Sequence, residues 1–355
     1  MTNSFDLDCI EMYVETLDVT QGVWCEQYGF QQVAEGGSAE AGFRSAVLRR
    51  GGMTLVLTEA ASPDHPAAGY VKAHGGDGVV DIALRTPDVR QAYESVVAAG
   101  GTGLVEPWEP EQEGIACVAK VSGFGDVVHT LVQREGTAAP IPAGHRPTAP
   151  AAAPAAGDFE VFAADHFAVI VAEGGLDETV EYYGRAFGFA EIFAERIVVG
   201  AQAMLSKVVQ SPSGTVTFTI IAPDPDAANG QINDFLAGHG GPGVQHVALA
   251  VDDIVRAVTT LAGNDVEFLS TPDAYYTRLP ERVAPPRHTV PRLRELNVLV
   301  DEDHGGQLFQ IFTRSIHPRR TLFFEVIERQ GARTFGSSNI KALYEAVEGE
   351  RVASP

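Results

Sequence analysis

The sequence predicts an α+β chain in which tandem βαβββ repeats build two open-barrel domains, and three observations lead there. "LDVTQGVWCEQYGF" at 17–30 aligns without gaps to "LDETVEYYGRAFGF" at 176–189; Leu, Asp, Thr and the closing Gly-Phe coincide, and aromatics match at Trp24/Tyr183 and Tyr28/Phe187. A long-range match of this kind marks a duplicated unit. "GVVDIALRTPDVRQA" at 78–92 lies over "GVQHVALAVDDIVRA" at 243–257, each a short apolar run, an acidic turn and a helical period. Composition breaks sharply once, at 137–158, where five prolines sit among alanines and nothing is expected to anchor a core. That stretch reads as an extended linker between an N-terminal domain at 1–136 and a C-terminal domain at 159–355.

Taken in order, each half is expected to open with a strand, at 10–15 and at 166–172. A helix follows, closed by Gly29 or Gly188, since glycine accepts the left-handed conformation that ends helices. Short strands come next. In the C-terminal half "VTFTIIA", "VQHVALAV", "QLFQIFT" and "TLFFEVIE" are apolar, rich in β-branched and aromatic residues, and bounded by turn-formers. Units of this kind pair to curl one sheet around a shared cavity, so a pocket is expected in each half.

Size and charge bound the function. At roughly 150 residues per domain, 355 residues make about two domains. Lys plus Arg number 25 against 47 Asp plus Glu, a formal charge of −22, which repels a phosphate backbone and an anionic leaflet. Neither nucleic acid nor membrane is expected as a partner. Cys9, Cys25 and Cys117 are too few and too scattered for a disulfide framework or a thiolate zinc site. The N-terminus lacks the basic and apolar regions of a secretory leader, and no run approaches the ~18 apolar residues of a membrane span. A cytoplasmic setting is expected.

Ten histidines are present. His65, His74, His145, His239, His288 and His317 lie in polar or Pro/Gly-rich context and read as solvated; His304 in "DEDHGG" reads as a turn, and His129 as a strand residue. His166 in "ADHFAVIVA" and His246 in "GVQHVALAV" differ, because each falls inside an apolar strand where both ring nitrogens need partners. Glu325 in "TLFFEVIE" is costlier still, a carboxylate among Leu, Phe, Val and Ile. Each could find its own local hydrogen bond. The more economical explanation is a shared one: two histidines and one carboxylate form the face that holds a divalent metal in non-haem Fe(II) oxygenases and leaves positions open for ligands. Alignment of the halves places Cys9 opposite His166, Asp81 opposite His246 and Thr130 near Glu325, so the N-terminal domain is expected to carry no metal.

The strings "DHFAVIV", "GVQHVAL", "GGQLFQIFT", "FFEVIERQG" and "GSSNIKALYEAVE", in this order and spacing, resemble the vicinal-oxygen-chelate superfamily and, within it, the 4-hydroxyphenylpyruvate dioxygenase group. The resemblance is specific in the C-terminal half and weaker over the whole chain. It implies Fe(II) on His166, His246 and Glu325, a 2-oxo acid substrate chelating that iron, and O2 at a remaining position. It further implies that Ser206, Gln231, Gln245 and Gln310 line a polar pocket and that Phe312 and Phe335 lie near the substrate ring. A homodimer is a family-level expectation.

Departures from the group narrow the function. Where those enzymes have Pro-x-Asn in the strand after the helix, this chain has Thr219 and Ile221; where their C-terminal helix has two phenylalanines, it has Ile340 and Tyr344. The last two are four apart and share one face of a helix begun near Ser337 or Ser338, which is expected to close over the pocket. These four changes resemble the hydroxymandelate-forming branch of the group, active in 4-hydroxyphenylglycine and peptide-antibiotic biosynthesis. The implied reaction is 4-hydroxyphenylpyruvate plus O2 giving 4-hydroxymandelate plus CO2. The rivals are a homogentisate-forming dioxygenase, an extradiol catechol dioxygenase and a non-catalytic small-molecule binder of the same superfamily.

Overall fold

A computed structural model describes residues 4–136, 141–149, 159–283, 287–336, 339 and 341. The N-terminal half runs β1 (Asp6–Tyr13), α1 (Leu17–Gly22), a π-helical turn (Val23–Gln27), β2 (Gln31–Ser38), β3 (Phe43–Arg50), β4 (Met53–Ala60), α2 (Pro66–His74), β5 (Gly78–Arg85), α3 (Val89–Ala98), β6 (Gly103–Trp108), β7 (Ile115–Ser122) and β8 (Val128–Arg134), with β9 (His145–Pro147) after it. The C-terminal half runs β10 (Val161–Ile170), α4 (Gly175–Phe187), β11 (Ala190–Val199), β12 (Gln202–Gln210), β13 (Thr217–Pro223), α5 (Gln231–His239), β14 (Gly243–Val251), α6 (Ile254–Gly263), α7 (Asp273–Arg282), α8 (Val290–Glu295), β15 (Leu299–Asp303), β16 (Gly306–Phe312) and β17 (Phe323–Gln330).

Each half forms one curled, half-open sheet, ordered β6-β7-β8-β5-β1-β4-β3-β2-β9 and β11-β12-β13-β10-β14-β17-β16-β15. Within each sheet two βαβββ units meet through an antiparallel central pair, β1 with β5 and β10 with β14. The first strand of each unit also lies parallel to its last, as in β10 with β13 and β14 with β17. The observed first strands begin earlier than expected: β1 enters through Asp6 and Asp8, and β10 runs through the bulge at Asp165, which interrupts its apolar pattern. Asp8 and Asp165 are single-residue bulges opposite β5 and β14. A bulge inserts one unpaired residue and re-aims the side chains around it.

One apolar core runs through both halves. Trp24 meets the Phe324 ring at 4.8 Å and Phe5 meets Phe187 at 5.4 Å. His129, the predicted strand histidine, is fully buried; its ring nitrogens bond the Ile82 carbonyl at 2.8 Å and the Tyr183 hydroxyl at 2.7 Å. The expectation that nothing in 137–158 anchors a core needs correction where the segment is described. Ile141 packs against the cluster of Cys9, Ala34, Val47, Val56 and Ala83, and His145 bonds Ser45 Oγ at 2.8 Å while β9 extends the sheet beside β2. Pro/Ala composition alone hides such docking, since one side chain is enough to make it. Among the described residues no helix is long and apolar enough to cross a membrane.

Candidate metal centre

The three costly residues of the C-terminal half meet at one point. β10, β14 and β17 are neighbours, and the pairs His166 with Ala248, Ala168 with His246, and Ala248 with Glu325 put all three side chains on the same sheet face. Glu325 Oε2 lies 3.3 Å from His166 Nε2 and 3.4 Å from His246 Nε2, and one ligand atom from each residue lies within 4.8 Å of the others. All three are buried to 9% exposure or less. Glu325 Oε1 has no partner among the described residues. A buried carboxylate oxygen left unmatched is costly, so the arrangement is incomplete without a cation.

Electrostatics point the same way. Burial opposes the charged form of His166, but the Glu325 and Asp165 carboxylates outweigh it and push the imidazole up to about 9. His246 moves down because burial prevails over Glu325. For Glu325, burial favours the neutral acid, yet His166 and His246 hold it below the usual range. One added positive charge is therefore favoured between these groups. A divalent cation on the two Nε2 atoms and the carboxylate supplies it, so the residues fit a metal.

Each imidazole is steered by the residue before it. His166 Nδ1 lies 2.8 Å from Asp165 Oδ1, and His246 Nδ1 lies 3.3 Å from Gln245 Oε1. Both partners are bulge residues, Asp165 on β10 and Gln245 on β14. In a regular strand they would face away from the histidine beside them.

Five of the predicted pocket residues share that face. Thr219 pairs with Ala168, Ile221 with Ile170 and Ser206 with Ile221; Phe312 pairs with Glu325 and Gln310 with Ile327. Phe335 sits edge-on to His166 at 5.2 Å and Phe312 to His246 at 5.8 Å. Gln231 opens α5 beside Met204 and Gln202. Thr219 Oγ1 and Gln231 Nε2 are buried without a hydrogen-bond partner among the described residues. Ile340 and Tyr344, with most of the predicted closing helix, lie outside the described residues.

Four residues near the site are not among those the sequence singles out. Arg329 grips Asp165 through Nε at 2.7 Å and Nη2 at 2.8 Å. Asp303 accepts from the Arg333 and Thr334 amides at 2.7 and 2.8 Å, and burial notwithstanding, these and the Gly305 amide hold its carboxyl far below the usual range. Asn339 is fully buried between Tyr275 and Gln310. Only the Asp-x-Gly-Gly turn hints at Asp303. Phe323 stacks on His246 at 4.9 Å and also lines a cleft of about 590 Å³ between the halves, although none of the three candidate ligands does.

Several histidines read as solvated are not. His74, His239 and His317 are buried where α2 of one half meets α5 of the other, and His74 stacks on His239 at 4.1 Å. Pairing across 165 residues leaves no local trace. A second acid–histidine group, Asp253, His288 and Glu328, also comes within ligand range. There the Arg287 guanidinium already lies 2.5 Å from Glu328, which also accepts from the Ile254 amide at 2.8 Å, so it lacks the unmatched oxygen of Glu325.

The N-terminal counterparts follow the same register. Cys9 pairs with Ala83 as His166 pairs with Ala248, and Asp81 occupies the place of His246. Asp81 accepts from the Thr130 amide and hydroxyl and lies 3.4 Å from Lys120. Burial and nearby carboxylates push the Cys9 thiol well up, away from the thiolate a metal would need.

Comparison with known proteins supports the two-half reading. Residues 6–133 and 163–310 match the profile of the "Glyoxalase/Bleomycin resistance protein/Dioxygenase superfamily". The chain is similar to the 4-hydroxyphenylpyruvate dioxygenase of Danio rerio, 32% identical over 93% of this chain and 86% of that one. It is also similar to the Yarrowia lipolytica enzyme of the same name, 29% identical over 99% and 94%. Among solved structures, a triple mutant of 4-hydroxymandelate synthase from Streptomyces coelicolor superposes with a TM-score of 0.88 at 43% identity, covering 99% of this chain and 100% of the other.

Proposed function

This chain belongs to the glyoxalase/bleomycin resistance protein/dioxygenase superfamily, and from that premise we propose that it is an Fe(II)-dependent dioxygenase converting 4-hydroxyphenylpyruvate and O2 to 4-hydroxymandelate and CO2. The observation that carries the proposal is the buried convergence of His166, His246 and Glu325 with one carboxylate oxygen unmatched. These three side chains would hold the iron, which when bound supplies the coupling of O2 reduction to decarboxylation of the 2-oxo acid. The substrate brings its own 2-oxo acid, so no second one is consumed.

The protein's part is placement. Thr219 Oγ1 and Gln231 Nε2 offer polar contacts beside an apolar wall of Ile170, Ile197, Met204, Ile221 and Phe235, and Gln310 offers another from β16, where it accepts from Asn339. Phe312 and Phe335 flank the candidate ligands and present aromatic faces to a ring. Hydroxylation at the benzylic carbon rather than on the ring depends on which atom lies closer to the iron, and about 1 Å of displacement is enough to change the outcome. Thr219 and Ile221, with Ile340 and Tyr344, are the residues proposed to set that distance. The higher identity to 4-hydroxymandelate synthase, 43% against 29–32% for the dioxygenases above, favours this branch.

The test is incubation of the purified chain with 4-hydroxyphenylpyruvate, Fe(II) and air, with chromatographic separation of products and parallel CO2 measurement. Release of CO2 in step with 4-hydroxymandelate, unaffected by added 2-oxoglutarate, is the expected result. A strict requirement for 2-oxoglutarate would place the chain in a different class of oxygenase.

A further inference from the structure

The two halves share a device that the metal-site proposal leaves unused. In the C-terminal half the bulge residue Asp165 is gripped by Arg329, whose third nitrogen donates to the carbonyls of Thr334 at 2.7 Å and Ala332 at 3.3 Å. In the N-terminal half the bulge residue Asp8 is gripped by Arg134 at 2.9 and 2.5 Å, and Arg134 donates to the Ile141 carbonyl at 2.7 Å. Each arginine lies four residues beyond the third position of its triad, Glu325 or Thr130. Each clamp ties the bulge at the start of the half to the chain leaving its last strand.

What differs is the neighbour of the aspartate. Next to Asp8 stands Cys9, whose thiol the carboxylate only helps to keep neutral; next to Asp165 stands His166, whose Nδ1 lies 2.8 Å from Oδ1. The Arg329 guanidinium also lies 5.0 Å over the Phe335 ring, which in turn meets His166 at 5.2 Å. Resting on the metal-site proposal above, we infer that Asp165 and Arg329 are positioning residues that turn a clamp common to both repeats into an aiming device for a metal ligand. Asp165 fixes His166 with Nε2 toward Glu325. Arg329 holds Asp165 and, through Ala332, Thr334 and Phe335, joins the ligand to the segment entering the C-terminal region. Partners of this kind orient ligating imidazoles and raise their basicity.

The N-terminal clamp supplies the control, since it has the same geometry without a histidine. The metal-free full-length chain is titrated with Co(II), followed by calorimetry and by the visible absorption of the bound ion. Asp165→Asn and Arg329→Lys are each expected to weaken Co(II) binding by roughly 10–100-fold and to alter the bands. Asp8→Asn and Arg134→Lys are expected to lower the thermal midpoint as much while leaving Co(II) affinity and bands at wild-type values. Circular dichroism confirms that every variant is folded, and Arg329→Lys keeps the test open if Asp165→Asn does not fold. Wild-type Co(II) affinity in both folded C-terminal variants, or equal weakening by the N-terminal pair, would overturn the positioning role alone. Failure of the wild-type chain to bind Co(II) stoichiometrically would overturn the metal-site proposal and this inference together.

Discussion

Glu325 concentrates the cost of the site in one residue, a carboxylate at 2% exposure with an unmatched oxygen. Replacing it with Ala removes a buried charge and a proposed metal ligand together. We expect Glu325→Ala to lose bound iron and turnover entirely and to lower the thermal midpoint, because His166 and His246 lose the carboxylate that faces them, measured by iron content, product formation and calorimetry. Thr219 tests the pocket in the same way. Thr219→Val removes a hydroxyl that is buried without a partner, so stability should change by less than about 1 kcal/mol while KM for 4-hydroxyphenylpyruvate rises. An unchanged KM would take Thr219 out of the substrate pocket. The convergence of His166, His246 and Glu325 was legible in the sequence because ionisable groups inside apolar strands break the pattern around them. Asp165 and Arg329 were not, because a bulged aspartate in mid-strand and an arginine at a strand end look like ordinary polar positions until the fold brings them together.

At the scale of elements, the bulges matter most. They let Asp165 and Gln245 reach the rings of the histidines that follow them, and they occur again at Asp8 and Val80. The repeat itself was legible from its matching strings. The early strand starts were not, since apolar periodicity cannot register a strand that opens on aspartates, as β1 does, or one broken by a bulged aspartate, as β10 is. The chain after β17 is fastened by Asp303, which takes the Arg333 and Thr334 amides and the Thr334 hydroxyl. Hydrogen bonds to a charged acceptor contribute more than neutral ones, so Asp303→Ala should cost about 2 kcal/mol in denaturant unfolding. Because the fastened segment leads to Phe335, KM should rise as well. A loss of stability without any change in KM would separate Asp303 from the pocket.

For the whole molecule, the junction of the halves was the part least visible in the sequence, because its contacts join residues far apart in the chain. Burial, then the adjacent His74, lowers His239 to about 4, against about 6.5 for an unfolded histidine. Its other charged neighbours are His317, which lowers it further, and Asp126, which raises it. A depressed folded value means the unfolded chain takes up a proton first, so this contribution is intact above about pH 6.5 and is lost as pH falls toward 4, to a limit of about 3 kcal/mol. His239→Gln should therefore show a thermal midpoint that falls less steeply than wild type between about pH 7 and about pH 4.5. Parallel profiles would remove His239 from the acid sensitivity of the junction.

The central claim, that this site hydroxylates the benzylic carbon of 4-hydroxyphenylpyruvate, is tested most directly by the product formed under isotopically labelled O2. 4-Hydroxymandelate and homogentisate are isomers, so retention and fragmentation must identify the product while mass reports the label. The expected product is 4-hydroxymandelate with one labelled oxygen in the carboxylate and one on the benzylic carbon. Homogentisate as the main product, or a benzylic hydroxyl that carries no label after correction for exchange with water, would contradict it.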